Sequence, residues 1–420
     1  MSFRRPTLAS LRVALKIRPA IPRRYLSIHE YQAQGLLREY DIPVPRGQVA
    51  HSPTEVFKAI EEIGGRCVVK SQIQKGGRGK GSFDNGLQGG IQIVDTPHAG
   101  QQVASKMLGS RLRTKQTYQK GLKVDTVYVA EAISYDEEWY LAMTIDREHY
   151  SPAVILSRSG GVDIEKIAKE EPENLHKFHF SLTKGISAEL IDEISQRVGI
   201  SDKERDHLSR ILIRMHEVFT SKDATLLEIN PLVRFQDGSF TCLDAKFTFD
   251  NTAKKRQPAL FDLRDVQHEV IDEIEAEKAG LVYVRMDGSI GNVVNGAGLA
   301  MATNDAISYY GGTSANFLDT GGQVTKEAMQ TAFEIIMRDE RVKAILINIY
   351  GGIIRCDMIA ECIIAAAKAL GPSKVPVVVR LQGTNSQKGL EMLEDAQLDL
   401  HIESDFGVAA QKAVELANVD

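Results

Sequence analysis

The spacing of apolar residues divides this chain of 420 residues. From residue 27 to about 258 the rhythm is mixed. Apolar runs at CVVK (67–70), VYVAEA (127–132), YLAMTID (140–146) and AVILS (153–157) read as strands. Stretches near 53–63 and 189–218 read as helices between them. Ser27-Ile28-His29-Glu30 reads as a capping box, Ser27 accepting from the third amide and Glu30 reaching back. Tyr31, Leu36, Leu37 and Tyr40 follow at helical spacing, and Pro43 and Pro45 end that helix.

The segment at 259–281 is acidic, polar and helical in pattern, and reads as a connection. Beyond it strand and helix alternate regularly. Strands are expected at Val282–Arg285, Asn292–Asn295, Ala315–Leu318, Ala344–Asn348, Val375–Arg380 and Leu398–Ile402. Helices such as Thr325–Arg338 and Asp357–Ala369 lie between them. This alternation over 282–420 predicts an α/β domain, a doubly wound parallel sheet that binds ligands beyond the carboxyl ends of its strands.

Composition changes the picture at the amino terminus. Residues 1–26 hold six Arg, one Lys and no acid, and read as a mitochondrial transit peptide. Without them 44 of the 51 basic side chains remain against 56 acidic ones, a net of −12. That balance argues against a nucleic-acid partner. No apolar run approaches the roughly 20 residues that span a bilayer, so no membrane role is expected. The four cysteines form no CxxC pair and suggest neither a zinc site nor disulfides. His176-Lys177-Phe178-His179 is the only close histidine pair and reads as surface.

Candidate chemistry begins in VVKSQIQKGGRGKGSFDNG (68–86). Its glycines match neither the Walker spacing nor GxGxxG before a helix. They suggest a hairpin whose amides and whose Lys75, Arg78 and Lys80 meet a polyphosphate, with Lys70 at the end of the preceding strand. In LLEINPLV (226–233), period 2 puts Glu228 and Asn230 on one strand face. TCLDAKF (241–247) puts Asp244 on what reads as the paired strand, across a turn at Gln236-Asp237-Gly238. An acid and an amide among apolar residues suit a hard cation such as Mg²⁺; a hydrogen-bonded polar pair is the alternative.

Basic strand, glycine flap and metal hairpin together resemble the ATP-grasp nucleotide-binding fold, expected over 27–258. VAEA (129–132) would be its hinge strand with Glu131 beside the nucleotide, and the Gly pair and acidic helix of SRSGGVDIEKIA (157–168) would close over the site. The match extends further. LSIHEYQAQGLL, VVKSQIQKGGRGKG, GGVDIEKIA, LLEINPLV, CLDAKF, VVNGAGLAMAT, ANFLDTGG, INIYGGIIRCD and VVVRLQGTN run in order from 26 to 385. Together they resemble the β subunits of succinate–CoA ligases, over essentially the whole chain after residue 26. The resemblance implies an ATP-grasp domain followed by a flavodoxin-like CoA-ligase domain, in a mitochondrial matrix enzyme of the tricarboxylic acid cycle.

It also implies a reaction: succinyl-CoA + NDP + Pi ⇌ succinate + CoA + NTP, the nucleotide being ADP/ATP or GDP/GTP. Phosphate would pass through a phosphohistidine of an α subunit that also holds most of the CoA, in one αβ pair or a dimer of pairs. Lys70, Gly77, Arg78, Gly79 and Glu131 match nucleotide contacts, and Glu138 matches one more loosely because the loop before it differs in length. Asn230 and Asp244 match Mg²⁺ ligands, and Glu228 the catalytic acid that orients the visiting histidine. Asn295, Gly352, Ile353 and Ile354 match the succinate side. Gln323 stands where relatives show a third glycine and Tyr350 where Phe is usual, and FDNTAKKRQP (249–258) also deviates from the family pattern. A malate-specific relative would share every nucleotide motif, whereas a non-catalytic nucleotide sensor would have no need of Lys70, Asn230 and Asp244 together.

Overall fold

A computed structural model describes residues 25–117, 120–161, 170–322, 324–371 and 373–418. Of the leader read over 1–26 only Tyr25 and Leu26 are described; the stretch at 162–169, read as a helix closing over the site, and Gln323 also lie outside the described residues. Contacts divide the chain into two units, one ending at His268 and the other beginning at Glu269.

The first unit holds an antiparallel sheet with strands in the order Leu26–Ser27, Ala245–Phe249, Ala224–Arg234, Glu137–Asp146, Ser151–Ser157 and His176–His179. Phe240–Cys242 also pairs with Ala224–Arg234, closing the turn expected at Gln236-Asp237-Gly238. Alternation places Trp139, Leu141 and Met143 of one strand and Leu227 and Ile229 of its neighbour in one core, beneath Leu37, Leu212 and Met215 from helices. A second sheet, in the order Gly47–Ala50, Val127–Glu131, Cys67–Ser71 and Ile91–Val94, carries the helices Pro53–Ile63 and Pro97–Met107 on its own core. The third, of Ser82–Phe83, Arg111–Arg113 and Leu122–Lys123, anchors the glycine-rich hairpin.

Two local expectations change. The first helix runs Glu30–Glu39, because Ser27 is taken by strand pairing with Thr248. His29 becomes the N-cap, its amide donating to Gln32 Oε1 at 2.8 Å, and Glu30 is released from capping into the interior. The helix read over 189–218 is two, Ala188–Val198 and Asp202–Ser221. Gly199 ends the first in the left-handed region, at φ +73°. Ser201 caps the second, with Glu204 Oε2 accepting from the Ser201 amide at 2.6 Å.

In the second unit six strands run in the order Val282–Arg285, Asn316–Asp319, Ile290–Val294, Ala344–Gly351, Val377–Gly383 and Leu400–Ile402. The first is an antiparallel edge; the other pairings are parallel. Helices Ala297–Tyr309 and Phe406–Ala417 cover one face. Lys326–Arg338 and Cys356–Leu370 cover the other. Ile290–Val294 is buried along its whole length, as a strand packed on both faces must be. Successive strands depart to opposite sides of Ile290–Val294, so its carboxyl end is the point where the winding reverses and a crevice opens. All four cysteines are buried and free.

Candidate functional site

In the first unit two of the basic side chains read as phosphate contacts, Lys70 and Arg78, lie in a closed cluster, while Lys75 and Lys80 of the same hairpin are exposed. Lys70 sits on the strand Cys67–Ser71 and its Nζ donates to Glu30 Oε1 at 2.6 Å and to the Leu243 carbonyl at 2.7 Å. Gly77 precedes the short 3₁₀ turn Arg78–Lys80, and Gly79 lies within it. That turn folds Arg78 inward. Its guanidinium is buried, donating to the Ser71 carbonyl at 2.9 Å, to Asp244 Oδ2 at 2.8 Å and to Glu30 Oε2 at 2.8 Å. The glycines around Arg78 suggest an exposed flap residue; the structure buries its side chain and gives it three acceptors instead.

Two cations and two carboxylates thus neutralise one another, and their protonation follows from that. Burial pushes the Glu30 carboxyl up, but Lys70 and then Arg78 outweigh it and hold it below its ordinary value. Asp244 has the opposite balance: burial and the neighbouring Glu30 charge raise its carboxyl in spite of Arg78. The Arg78 guanidinium is driven further into its charged form by the two acids, against the cost of its burial.

Asp244 lies in the two-residue break between Phe240–Cys242 and Ala245–Phe249 rather than on a strand. The main chain still brings it to Asn230, whose amide donates to the Asp244 carbonyl at 3.1 Å. Their side chains have different partners. Asp244 holds Arg78, whereas Asn230 Oδ1 accepts from the Gly161 amide at 2.6 Å and its Nδ2 donates to the Gly161 carbonyl at 3.0 Å. Both offer the carboxylate or amide oxygen that a hard cation takes, and Asp244 already has a positive charge as neighbour. Glu228 and Asn230 are half-buried on the same side of their strand, with Leu227 and Ile229 in the core behind them. Glu228 lies opposite Ala142 and its charge, after burial, helps raise the Tyr140 hydroxyl.

Gly160 and Gly161 are forced by this packing. A Cβ at Gly160 would stand 2.4 Å from the Trp139 carbonyl, and one at Gly161, where φ is +90°, 2.5 Å from Glu138 Oε2. Glu138 also accepts from the Tyr135 hydroxyl at 2.6 Å, which together with burial pushes that hydroxyl up to about 12. Glu131 ends the strand Val127–Glu131, where Arg46 grips it with two bonds of 3.0 and 3.3 Å and so lowers its carboxyl.

In the second unit Asn295, Gly352, Ile353 and Ile354 all line one cavity of about 730 Å³ at the carboxyl ends of the strands. Asn295 Nδ2 donates to the Tyr350 carbonyl at 2.9 Å, and its Oδ1 accepts from the Tyr350 amide at 2.8 Å. Ile353 is 91% exposed, an apolar side chain standing at the mouth. Cys356 is buried just behind, its thiol raised by burial, as packing rather than nucleophilic chemistry requires.

Sequence reasoning missed two residues. Glu30 was absorbed into a capping motif; the available signal was that two cations beside a buried strand demand more counter-charge than Asp244 supplies. Asp319 is the other. Its Oδ1 accepts from the Gly296 amide at 2.6 Å and the Gly321 amide at 2.7 Å, ordering two glycine turns around the cavity.

Comparison with known proteins agrees with this division. A family model of the ATP-grasp domain matches residues 27–234, and one of the CoA-ligase domain matches 293–418. The chain is 43% identical, over 94% of its length and 89% of the relative's, to the mitochondrial β subunit of an ADP-forming succinate–CoA ligase from Neurospora crassa. It is 42% identical to the mitochondrial β subunit of a GDP-forming one from Dictyostelium discoideum, over 93% of each chain. The same identity, over 99% of this chain and 94% of the relative, relates it to a hydrogenosomal ADP-forming β subunit from Neocallimastix frontalis. In fold it is similar to an ATP citrate lyase from Methanothrix soehngenii, solved with citrate and coenzyme A. The TM-score is 0.67 at 17% identity, over 93% of this chain and all of that one.

Proposed function

The chain belongs to the succinate–CoA ligase β-subunit family, and from that premise we propose that it is the nucleotide-holding half of a two-chain ligase of the mitochondrial matrix. The reaction is succinyl-CoA + NDP + Pi ⇌ succinate + CoA + NTP, with the phosphoryl group carried on a histidine of an α subunit. The observation that carries the reading is the ion-paired quartet Glu30, Lys70, Arg78 and Asp244 beside Asn230. It places an ammonium and a guanidinium beside two carboxylates where a polyphosphate and its counter-ion need them.

In this reading Lys70, Gly77, Arg78 and Gly79 take the phosphates, and Glu131 and Glu138 flank the nucleotide. Asn230 and Asp244 would hold Mg²⁺, which when bound neutralises phosphate charge. With nucleotide and cation bound, Arg78 would turn from Asp244 to phosphate and Asp244 would be left to the cation. Glu228 fixes the tautomer of the visiting imidazole and stabilises its charged form. Asn295 and Gly352–Ile354 hold succinate in the cavity at the sheet's carboxyl edge.

Co-purification with an α subunit and phosphorylation from labelled NTP test this. Glu228→Ala is expected to leave Mg-nucleotide affinity unchanged and to abolish the labelled phosphohistidine. A variant that labels the α subunit at the wild-type rate, or an isolated chain that forms succinyl-CoA at full rate, would refute it.

A further inference from the structure

The corner of the large sheet in the first unit gathers residues that none of this chemistry uses. Asp146 ends the strand Glu137–Asp146; His149 lies in the turn that follows; His179 ends the strand His176–His179. Pairing of Ala153 with both Thr144 and His179 locks the three strands in register. His149 Nδ1 lies 3.0 Å and His179 Nε2 2.8 Å from the same oxygen, Asp146 Oδ2. The three ligand atoms all fall within 4.8 Å of one another. The Glu148 amide holds the other carboxylate oxygen at 3.0 Å, fixing the group's orientation.

We propose that Asp146, His149 and His179 form a binding site for a divalent transition metal, Zn²⁺ foremost, separate from the magnesium site. Two imidazoles and one carboxylate are a borderline-soft donor set that suits zinc and not Mg²⁺. Around a tetrahedral zinc, donors at about 2.0–2.1 Å stand about 3.3 Å apart, so the imidazole nitrogens, now 3.0 and 2.8 Å from Asp146 Oδ2, have to move outward by about 0.3–0.5 Å and settle at that same separation from each other. The fourth position opens to solvent, since His149 is exposed at its side chain and Asp146 buried. Lys177 opposes the metal: its Nζ sits 2.9 Å from the same Asp146 oxygen. Its side chain is 42% exposed, so it can swing into water as the metal enters. Asp146 is eight residues along the strand from Glu138, roughly 26 Å, so the metal acts as a clamp on the sheet corner rather than in the nucleotide site.

The test is titration of the full chain with Zn²⁺ under excess Mg²⁺, by calorimetry and by the visible absorption of Co²⁺ in its place. One equivalent is expected at micromolar zinc, with a four-coordinate Co²⁺ spectrum. His149→Ala and His179→Ala should each weaken binding by about tenfold or more. Lys177→Met should strengthen it, a direction that general destabilisation cannot produce. Asp146→Asn should abolish it; the other three variants decide the matter if this one fails to fold. Binding only at millimolar zinc, histidine variants that bind as tightly as wild type, or weaker binding by Lys177→Met would each overturn the proposal.

Discussion

Substituting Glu30→Ala tests the logic of the ion-paired quartet directly. The carboxylate receives Lys70 at 2.6 Å, Arg78 at 2.8 Å and the Gln72 amide at 3.3 Å, and only 2% of its side chain meets solvent. Removing one partner of a buried charge pair costs about 3–5 kcal/mol, because the remaining charge keeps its desolvation penalty. Arg78 retains Asp244 and the Ser71 carbonyl, and Lys70 retains the Leu243 carbonyl, so the loss belongs at the lower end, about 3 kcal/mol. For a unit of this size that lowers the midpoint of thermal unfolding by roughly 6–12 °C. Trp139, the single tryptophan, is fully buried in the first unit and makes urea unfolding of that unit readable by fluorescence. The sign with pH is fixed too. Glu30 is depressed in the folded state, so its contribution is complete above the ordinary carboxylate range and is lost as acid protonates it. Wild type and variant should therefore converge in acid. A loss below about 1 kcal/mol at neutral pH, or a difference that persists through acid, would refute the account of the quartet.

Three further outcomes follow from the same geometry. Asp244→Asn should cost Mg-nucleotide affinity, measured by calorimetry, yet keep neutral-pH stability within about 1 kcal/mol of wild type or above it. The raised Asp244 carboxyl removes stability as pH climbs from the ordinary carboxylate range to its folded value, and the amide does not. Gly160→Ala drives a methyl against the Trp139 carbonyl and should destabilise the first unit by about 1–3 kcal/mol by the same fluorescence assay, with no charge altered. Asn295→Ala frees Tyr350 and should raise the KM for succinate in the assembled enzyme while the KM for nucleotide stays constant.

The regular half of the chain was the more legible. Val282–Arg285 was read with its observed ends, and Ala344–Asn348 fell inside Ala344–Gly351, whose burial on both faces leaves an unbroken apolar run. Direction was not legible: that the first of these strands is antiparallel depends on pairing with Asn316–Asp319, which no local pattern encodes. The break at Gly199 was written in the sequence, as Gly followed by Ser201 and Glu204, but apolar period alone passes over it. At the site, residue types were readable and their partners were not. Arg78 among glycines looks mobile until Asp244 and Glu30, at 166 and 48 positions' remove, are folded onto it. His179 looked like surface because Asp146 and His149 reach it only through the register of three strands.

Asn295 bonds the amide and the carbonyl of Tyr350 at once, as a peptide unit of an adjoining strand would. The side chain thereby adds one more rung to the ladder, just past the last residue of its own strand. The floor of the crevice is thereby tied to the neighbouring strand at this point. A side chain already held in this way has little rotamer freedom left to lose to whatever the crevice takes.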